Sequence, residues 1–274
     1  MLRTILAAAA AFPLLAADPT FLRRRVPDVP AAPLDAAHPG CRYRPVFGAG
    51  DADARQLKGV TRFGELTLEA GAACAPVEAK GEERIYVVLE GAGEVAPLAA
   101  LKKHDYFYTP PGVRHTLSAG SALRVLVMGF RTPDGPSDAQ IKLANLDEVP
   151  LQTVGNHPPS TQYRLLLGQT SSQRDRLACA QKATSLFIME FAAGGTNIPH
   201  HHETEEEIYY LMDGRGDMVA GGGADGNEGR YPSQPGDAWF FRLNTTVGFY
   251  SANRADEPKA RILAVRSLFP FPRR

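Results

Sequence analysis

Three histidines and four glutamates crowd residues 199–210, "PHHHETEEEIYY". Along an extended chain alternate side chains share a face, so His200 and His202 point together while His201 points away. The run "ETEE" reads as a turn, with Glu203, Glu205 and Glu206 solvated, and Glu207 opens the next strand facing back toward the pair. Two imidazoles and one carboxylate meeting at an interior point form a facial set that suits one divalent metal ion: Mn, Fe, Ni, Zn or Cu. Such an ion keeps positions open for water, O2 or a substrate oxygen, polarises a carbonyl and lowers the pKa of bound water. The chemistry also needs a base close by, for which Glu206 and Tyr250 are the candidates. The same two residues and Asn244 are candidates for a further ligand. A bare His-x-His pair is common on exposed strands, so the elements around it have to decide between a metal site and a charged hairpin.

Those elements are short Val/Ile/Tyr/Phe-rich runs cut by Gly and Pro, the pattern of an all-β chain. "FGELTL" alternates clearly, and "RIYVVLEG" runs into a glycine turn. The pattern also occurs twice. Laying 76–95 over 199–218 without a gap aligns Pro76 with Pro199, Ile85-Tyr86 with Ile208-Tyr209, and Gly91 and Gly93 with Gly214 and Gly216. Further on, "HDYFYTPPGVRHTL" (104–117) matches "GDAWFFRLNTTVGF" (236–249). Two matching pairs in the same order indicate a duplicated unit. The expected organisation is a tail or signal peptide over 1–17, one barrel over 40–133, a polar linker over 134–160 with a short helix, and a second barrel over 161–274.

On these residues the chain resembles the cupin superfamily, whose first pattern is G-x5-H-x-H-x3–4-E-x6-G and whose second is G-x5-P-x-G-x2-H-x3-N. His200-x-His202, Glu207 and Gly214 fit the first pattern in the later half, and Asp105, Pro110, Gly112 and His115 fit most of the second in the earlier half. The resemblance implies two tandem jelly-roll (double-stranded β-helix) barrels, a bicupin, with the metal at His200, His202 and Glu207. It also exposes departures. The position of the usual fourth ligand, a histidine, is Val247, with Arg242 and Asn244 where Pro and Gly are usual. In the earlier half His115 is present, but Val77, Ala79 and Arg84 stand at the other ligand positions. That barrel is expected to be metal-free, with His115 a hydrogen-bonded pocket residue. "ERIYVVLEG" and "YFYTPPGVRHTL" also resemble the first barrel of the (S)-ureidoglycine aminohydrolase family, which carries one manganese in its second barrel. That family's Glu-x-His-x3-His arrangement and its glutamine are missing here, so the shared architecture carries over and the substrate and reaction do not.

The 30 basic and 30 acidic side chains balance, which argues against a nucleic-acid partner. The three cysteines, Cys41, Cys74 and Cys179, form no CxxC pair and no disulfide framework, although one disulfide between two of them is open. "MLRTILAAAAAFPLLAAD" has the basic start and short apolar run of a secretory signal, implying a secreted or periplasmic protein without membrane attachment after cleavage. No later run approaches the ~20 apolar residues of a membrane span. The glycine-rich 216–232 reads as a hairpin loop or a lid over the barrel mouth. Trp239 and Phe241 share one strand face and Phe240 takes the other, so one side should line the pocket. Two functions fit: a metal-dependent enzyme acting on a small molecule (dioxygenase, hydrolase or isomerase type), or a non-catalytic small-molecule-binding or storage-type bicupin. A homodimer is expected in either case.

Overall fold

The computed structural model describes residues 19–132, 140–222, 228–254 and 256–270. The expected signal peptide lies outside them. The chain opens with β1 (Phe21–Arg25). The first half then carries β2 (Cys41–Gly48), β3 (Val60–Leu68), β4 (Glu82–Glu90), β5 (Ala92–Ala96), β6 (Ala99–Lys102), β7 (Asp105–Thr109), β8 (Thr116–Ala119) and β9 (Leu123–Arg131). After β10 (Lys142–Asn145) the second half carries β11 (Thr161–Gln169), β12 (Leu177–Ala180), β13 (Ala183–Phe191), β14 (Glu205–Asp213), β15 (Gly216–Gly221), β16 (Glu228–Ser233), β17 (Asp237–Phe241), β18 (Thr246–Ser251) and β19 (Arg261–Leu268). Each half is a large sheet facing a three-stranded one, β6-β5-β8 in the first barrel and β16-β15-β18 in the second. This is the two-barrel, all-β architecture expected.

The continuous apolar strands exist because both of their faces are covered. In β4, Tyr86 and Val88 fill the first barrel's interior, while Ile85 and Val87 join a core between the barrels. In β14, Tyr209 and Leu211 fill the second barrel, while Ile208 and Tyr210 join the same shared core. Period-2 alternation therefore assigns each residue to one of two buried faces. Phe47 meets Phe240 with ring centres 6.2 Å apart, and Phe63 meets Tyr210 at 6.4 Å, so the large sheets are packed back to back.

Each barrel also takes a strand from outside its own half. β1 pairs with β17 of the second barrel, Phe21 against Phe241 through Arg25 against Asp237. β10 pairs with β7 of the first, Lys142 against Tyr108 through Asn145 against Asp105. The segment expected as a linker thus contributes an edge strand to the first sheet. Its short helix is a 3-10 turn, Leu146–Glu148, capped where the Asn145 side chain accepts the Asp147 N–H.

A second tie crosses the same interface. The Glu83 carboxylate accepts the backbone N–H groups of Gln181, Lys182 and Ala183, each at 2.7 Å. Glu206 accepts those of Lys58, Gly59 and Val60 at 2.8, 2.7 and 3.0 Å. The two sets are related by the 123-residue shift that carries Pro76 onto Pro199. Glu206 is therefore not in a solvated turn. It is 1% exposed, because β14 alternation turns it away from the Glu207 face and onto the other barrel.

Cys41 and Cys74, 33 positions apart, form a disulfide that ties the start of β2 to the loop before β4. Both are buried in the first barrel's core. Restricting a loop of that length in the unfolded chain is worth roughly 3–4 kcal/mol. A Cys41→Ala/Cys74→Ala protein is expected to lose about that much stability in a urea titration, with the loss matched by reduction of the native chain.

Candidate metal centre

The segment before β14 is held from both sides before it presents any ligand. Asn197 is buried, with its side-chain oxygen accepting the Phe249 N–H at 2.8 Å and its amide nitrogen donating to the Tyr209 hydroxyl at 3.1 Å. Residues 200–202 are not a full strand, but His200 and Val247 exchange backbone hydrogen bonds of 2.9 and 2.8 Å, and the Asn244 N–H reaches the His202 carbonyl at 2.8 Å. That pairing keeps the chain extended and puts both imidazoles on one side.

Ile198 takes φ +57°, a left-handed conformation that a β-branched residue rarely adopts. Its carbonyl accepts the His200 Nδ1–H at 2.8 Å. A backbone carbonyl on one imidazole nitrogen fixes the tautomer and leaves the other nitrogen's lone pair free for a metal.

His200, His202 and Glu207 bring one donor atom each to within 4.8 Å of one another. His202 Nε2 stands 3.2 Å from Glu207 Oε2, and the two imidazoles lie edge-to-face with ring centres 5.0 Å apart. Burial pushes the His200 pKa down. Burial acts on His202 in the same direction, but the Glu207 carboxylate outweighs it and raises that pKa. Glu207 is 1% exposed, and neither of its oxygens nor His202 Nε2 has a hydrogen-bond partner. A buried carboxylate without a donor is costly. A divalent cation between these side chains satisfies all three atoms, so the residues present fit the metal that their spacing implies. Val247, at the usual place of a fourth ligand, packs as core.

The set lines a cavity of about 120 Å³. Tyr163, Ser185 and Arg266 also line it, with Leu165, Phe187 and Met189 among its apolar walls. His157 lines it too, its ring edge-on to His200 at 5.8 Å and its Nδ1 bonded to the Asn197 carbonyl at 3.0 Å. No spacing rule finds His157, which lies alone in "GNHPPS". A signal for Arg266 did exist. Ile262, Ala264 and Arg266 share the inward face of β19, and the third breaks an apolar series.

Other candidates lie elsewhere. Glu206 faces the first barrel, as described. Tyr250 follows inward-facing Phe249 on β18 and so points outward, under the Arg230 guanidinium at 4.0 Å, beside a surface cleft with Arg215 and Asn253. Trp239 and Phe241 fill the barrel core and Phe240 the shared core, without lining the cavity. The glycine-rich segment is the β15–β16 hairpin, and its tip, 223–227, lies outside the described residues.

The first barrel repeats the frame with other chemistry. Val77 bridges His115 as His200 bridges Val247, so ligand and apolar residue have changed sides. Arg84 stands where Glu207 would, bound to Glu82 at 2.5 Å and Asp35 at 2.7 Å. Arg62 joins the same two carboxylates. His115 is bonded on both nitrogens, to the Tyr86 hydroxyl at 2.8 Å and the Val113 carbonyl at 3.0 Å. A fixed guanidinium pair supplies the positive charge at this level of the barrel.

Comparison with known proteins bears on the fold. Residues 187–266 match the family model for the cupin domain. The protein Ylba from E. coli is 14% identical, with a TM-score of 0.67 over 93% of this chain and 94% of that one. A glyoxylate-induced protein from Pseudomonas aeruginosa is 13% identical, with a TM-score of 0.71 over 93% and 91%. Bacillus subtilis oxalate decarboxylase, described with Mn(II) centres, is 14% identical, with a TM-score of 0.61 over 91% and 78%. No curated protein matches. Residues 187–266 are thus a cupin domain, and the whole chain has the two-barrel cupin fold.

Proposed function

We propose that the second barrel binds one divalent transition metal through His200, His202 and Glu207 and acts enzymatically on a small molecule held in the adjoining cavity. The observation that carries this reading is the convergence of three donors within 4.8 Å, of which His202 Nε2 and both Glu207 oxygens are buried without a well-formed hydrogen bond and face chiefly one another. A bound ion there supplies Lewis acidity and lowers the pKa of coordinated water, which serves dioxygenase, hydrolase and isomerase chemistry alike. The chain's own part is positional. Ile198 orients His200, Arg266 Nε stands 4.0 Å from Glu207 Oε1, and the apolar walls restrict water. Mn(II) is the first ion to try, given the Mn(II) centres of the B. subtilis enzyme, with Fe, Ni, Zn and Cu next. The Cys41–Cys74 disulfide supports an exported protein, since such bonds persist in oxidising compartments.

Elemental analysis of the purified chain after metal loading tests the reading, with close to one ion per chain expected. Less than ~0.2 ion per chain after exposure to all five metals overturns it.

A further inference from the structure

The second barrel's cavity holds more unpartnered hydrogen-bonding groups than a metal can use. The Tyr163 hydroxyl, the Ser185 hydroxyl and Arg266 Nε make no hydrogen bond, Arg266 Nε standing 4.0 Å from Glu207 Oε1, and all three residues line the cavity. Ser185 is 0% and Tyr163 4% exposed. Each can donate a hydrogen bond.

Their arrangement follows from pairing. Arg266 is the cross-strand partner of Ser185 on one side and of Glu207 on the other. Ser185, Arg266 and Glu207 therefore form one inward row across β13, β19 and β14, with neighbouring side chains about 5 Å apart. One edge of the guanidinium is held by Glu205 at 3.1 Å, and Phe187 lies beneath it at 5.5 Å. Its Nε edge, beside Glu207, and the two hydroxyls border the same cavity.

The matching row of the first barrel is Arg62, Gly129 and Arg84. There a Cβ on Gly129 would stand 2.6 Å from the Thr61 hydroxyl and 2.8 Å from Glu82, so the space is full and its arginines are paired within the protein. The second barrel keeps one arginine in the row and leaves room beside it.

From this row we infer that the second barrel takes a small carboxylic acid, its carboxylate held by Arg266, Ser185 and Tyr163 and its other oxygen function directed to the metal. The inference rests on the metal reading above and adds the substrate class to it. Donors alone on this side select an acceptor, and the guanidinium selects an anionic one. The walls of Leu165, Phe187 and Met189 favour a carbon skeleton over a fully hydrated inorganic ion. A cavity of about 120 Å³ limits that skeleton to a few atoms.

Calorimetric titration of the Mn(II)-loaded full chain tests this with oxalate, glyoxylate, malonate and lactate against oxamide, malonamide and inorganic phosphate. At least one acid is expected to bind tenfold or more tighter than its amide and than phosphate. Arg266→Gln should weaken that acid by roughly ten- to a hundredfold, and a Tyr163→Phe/Ser185→Ala protein by several-fold, with Mn(II) stoichiometry unchanged in both. The paired hydroxyl variant removes two oxygens without touching the ion pairs, so it decides the matter if Arg266→Gln does not fold. Acids and amides binding alike, phosphate binding as well as the best acid, or no weakening in the variants overturns the inference while leaving the metal reading intact. A native chain that takes up none of Mn, Fe, Ni, Zn or Cu overturns both.

Discussion

Replacing His202 by alanine is expected to lower metal affinity at least a hundredfold, and replacing His201 by alanine to leave it within about twofold. Both figures are orders of magnitude from the free energy a whole donor set supplies. The contrast is sharp because the two residues are neighbours of one type. His202 Nε2 stands 3.2 Å from Glu207 Oε2 within the donor set, whereas His201 is exposed and reaches only Glu203 at 3.8 Å. Glu207→Gln keeps the shape but removes the charge that the ion neutralises, so it should fall with His202→Ala. Manganese EPR titration of the variants reads both effects. Native affinity in His202→Ala would show the ion sitting elsewhere.

The largest expected loss of stability lies far from the metal. Glu83→Ala leaves the N–H groups of Gln181, Lys182 and Ala183 and the Tyr108 hydroxyl without an acceptor. Removing one member of a buried charged hydrogen-bond set typically costs 3–5 kcal/mol. Glu83 is fully buried, so water cannot take over its role. The variant is expected to unfold at much lower urea, with the shared core exposed early. Glu83→Gln should lie between, because the amide retains one acceptor but turns donors toward donors. A midpoint for Glu83→Ala within about 1 kcal/mol of native would mean that packing alone holds the barrels together.

The convergence of His200, His202 and Glu207 was legible because spacing encodes which side chains share a face, and Gly214 marks the turn that follows. At φ +71°, with Ala260 Cα only 2.5 Å from where a Cβ would be, that turn admits little else. The duplication was legible for the same reason, since a constant shift survives wherever the frame is kept. Glu206 was not. An acidic run looks alike whether its second member meets water or three backbone donors, and only the packing of the two sheets makes the difference. Tyr250 failed as a candidate base through parity, one residue past inward-facing Phe249. Arg266, Ser185, Tyr163 and His157 come from four separate segments, and no linear interval relates them. The Cys41–Cys74 pair was left open because pairing depends on which loop returns beside β2. The exchange of β1 and β10 was invisible for a simpler reason: an edge strand's composition does not name its partner.

That exchange has a consequence for how such a chain arises and diverges. A half-length ancestor with the same topology would lack a rim strand in its own sheet and would be complete only when two copies traded arms, so the joined chain is in effect a swapped homodimer made covalent. Fusion frees the two sites from being identical by descent. One can hold internally neutralised arginines where the other gathers imidazoles and a carboxylate, and each sheet is complete only with the arm it borrows.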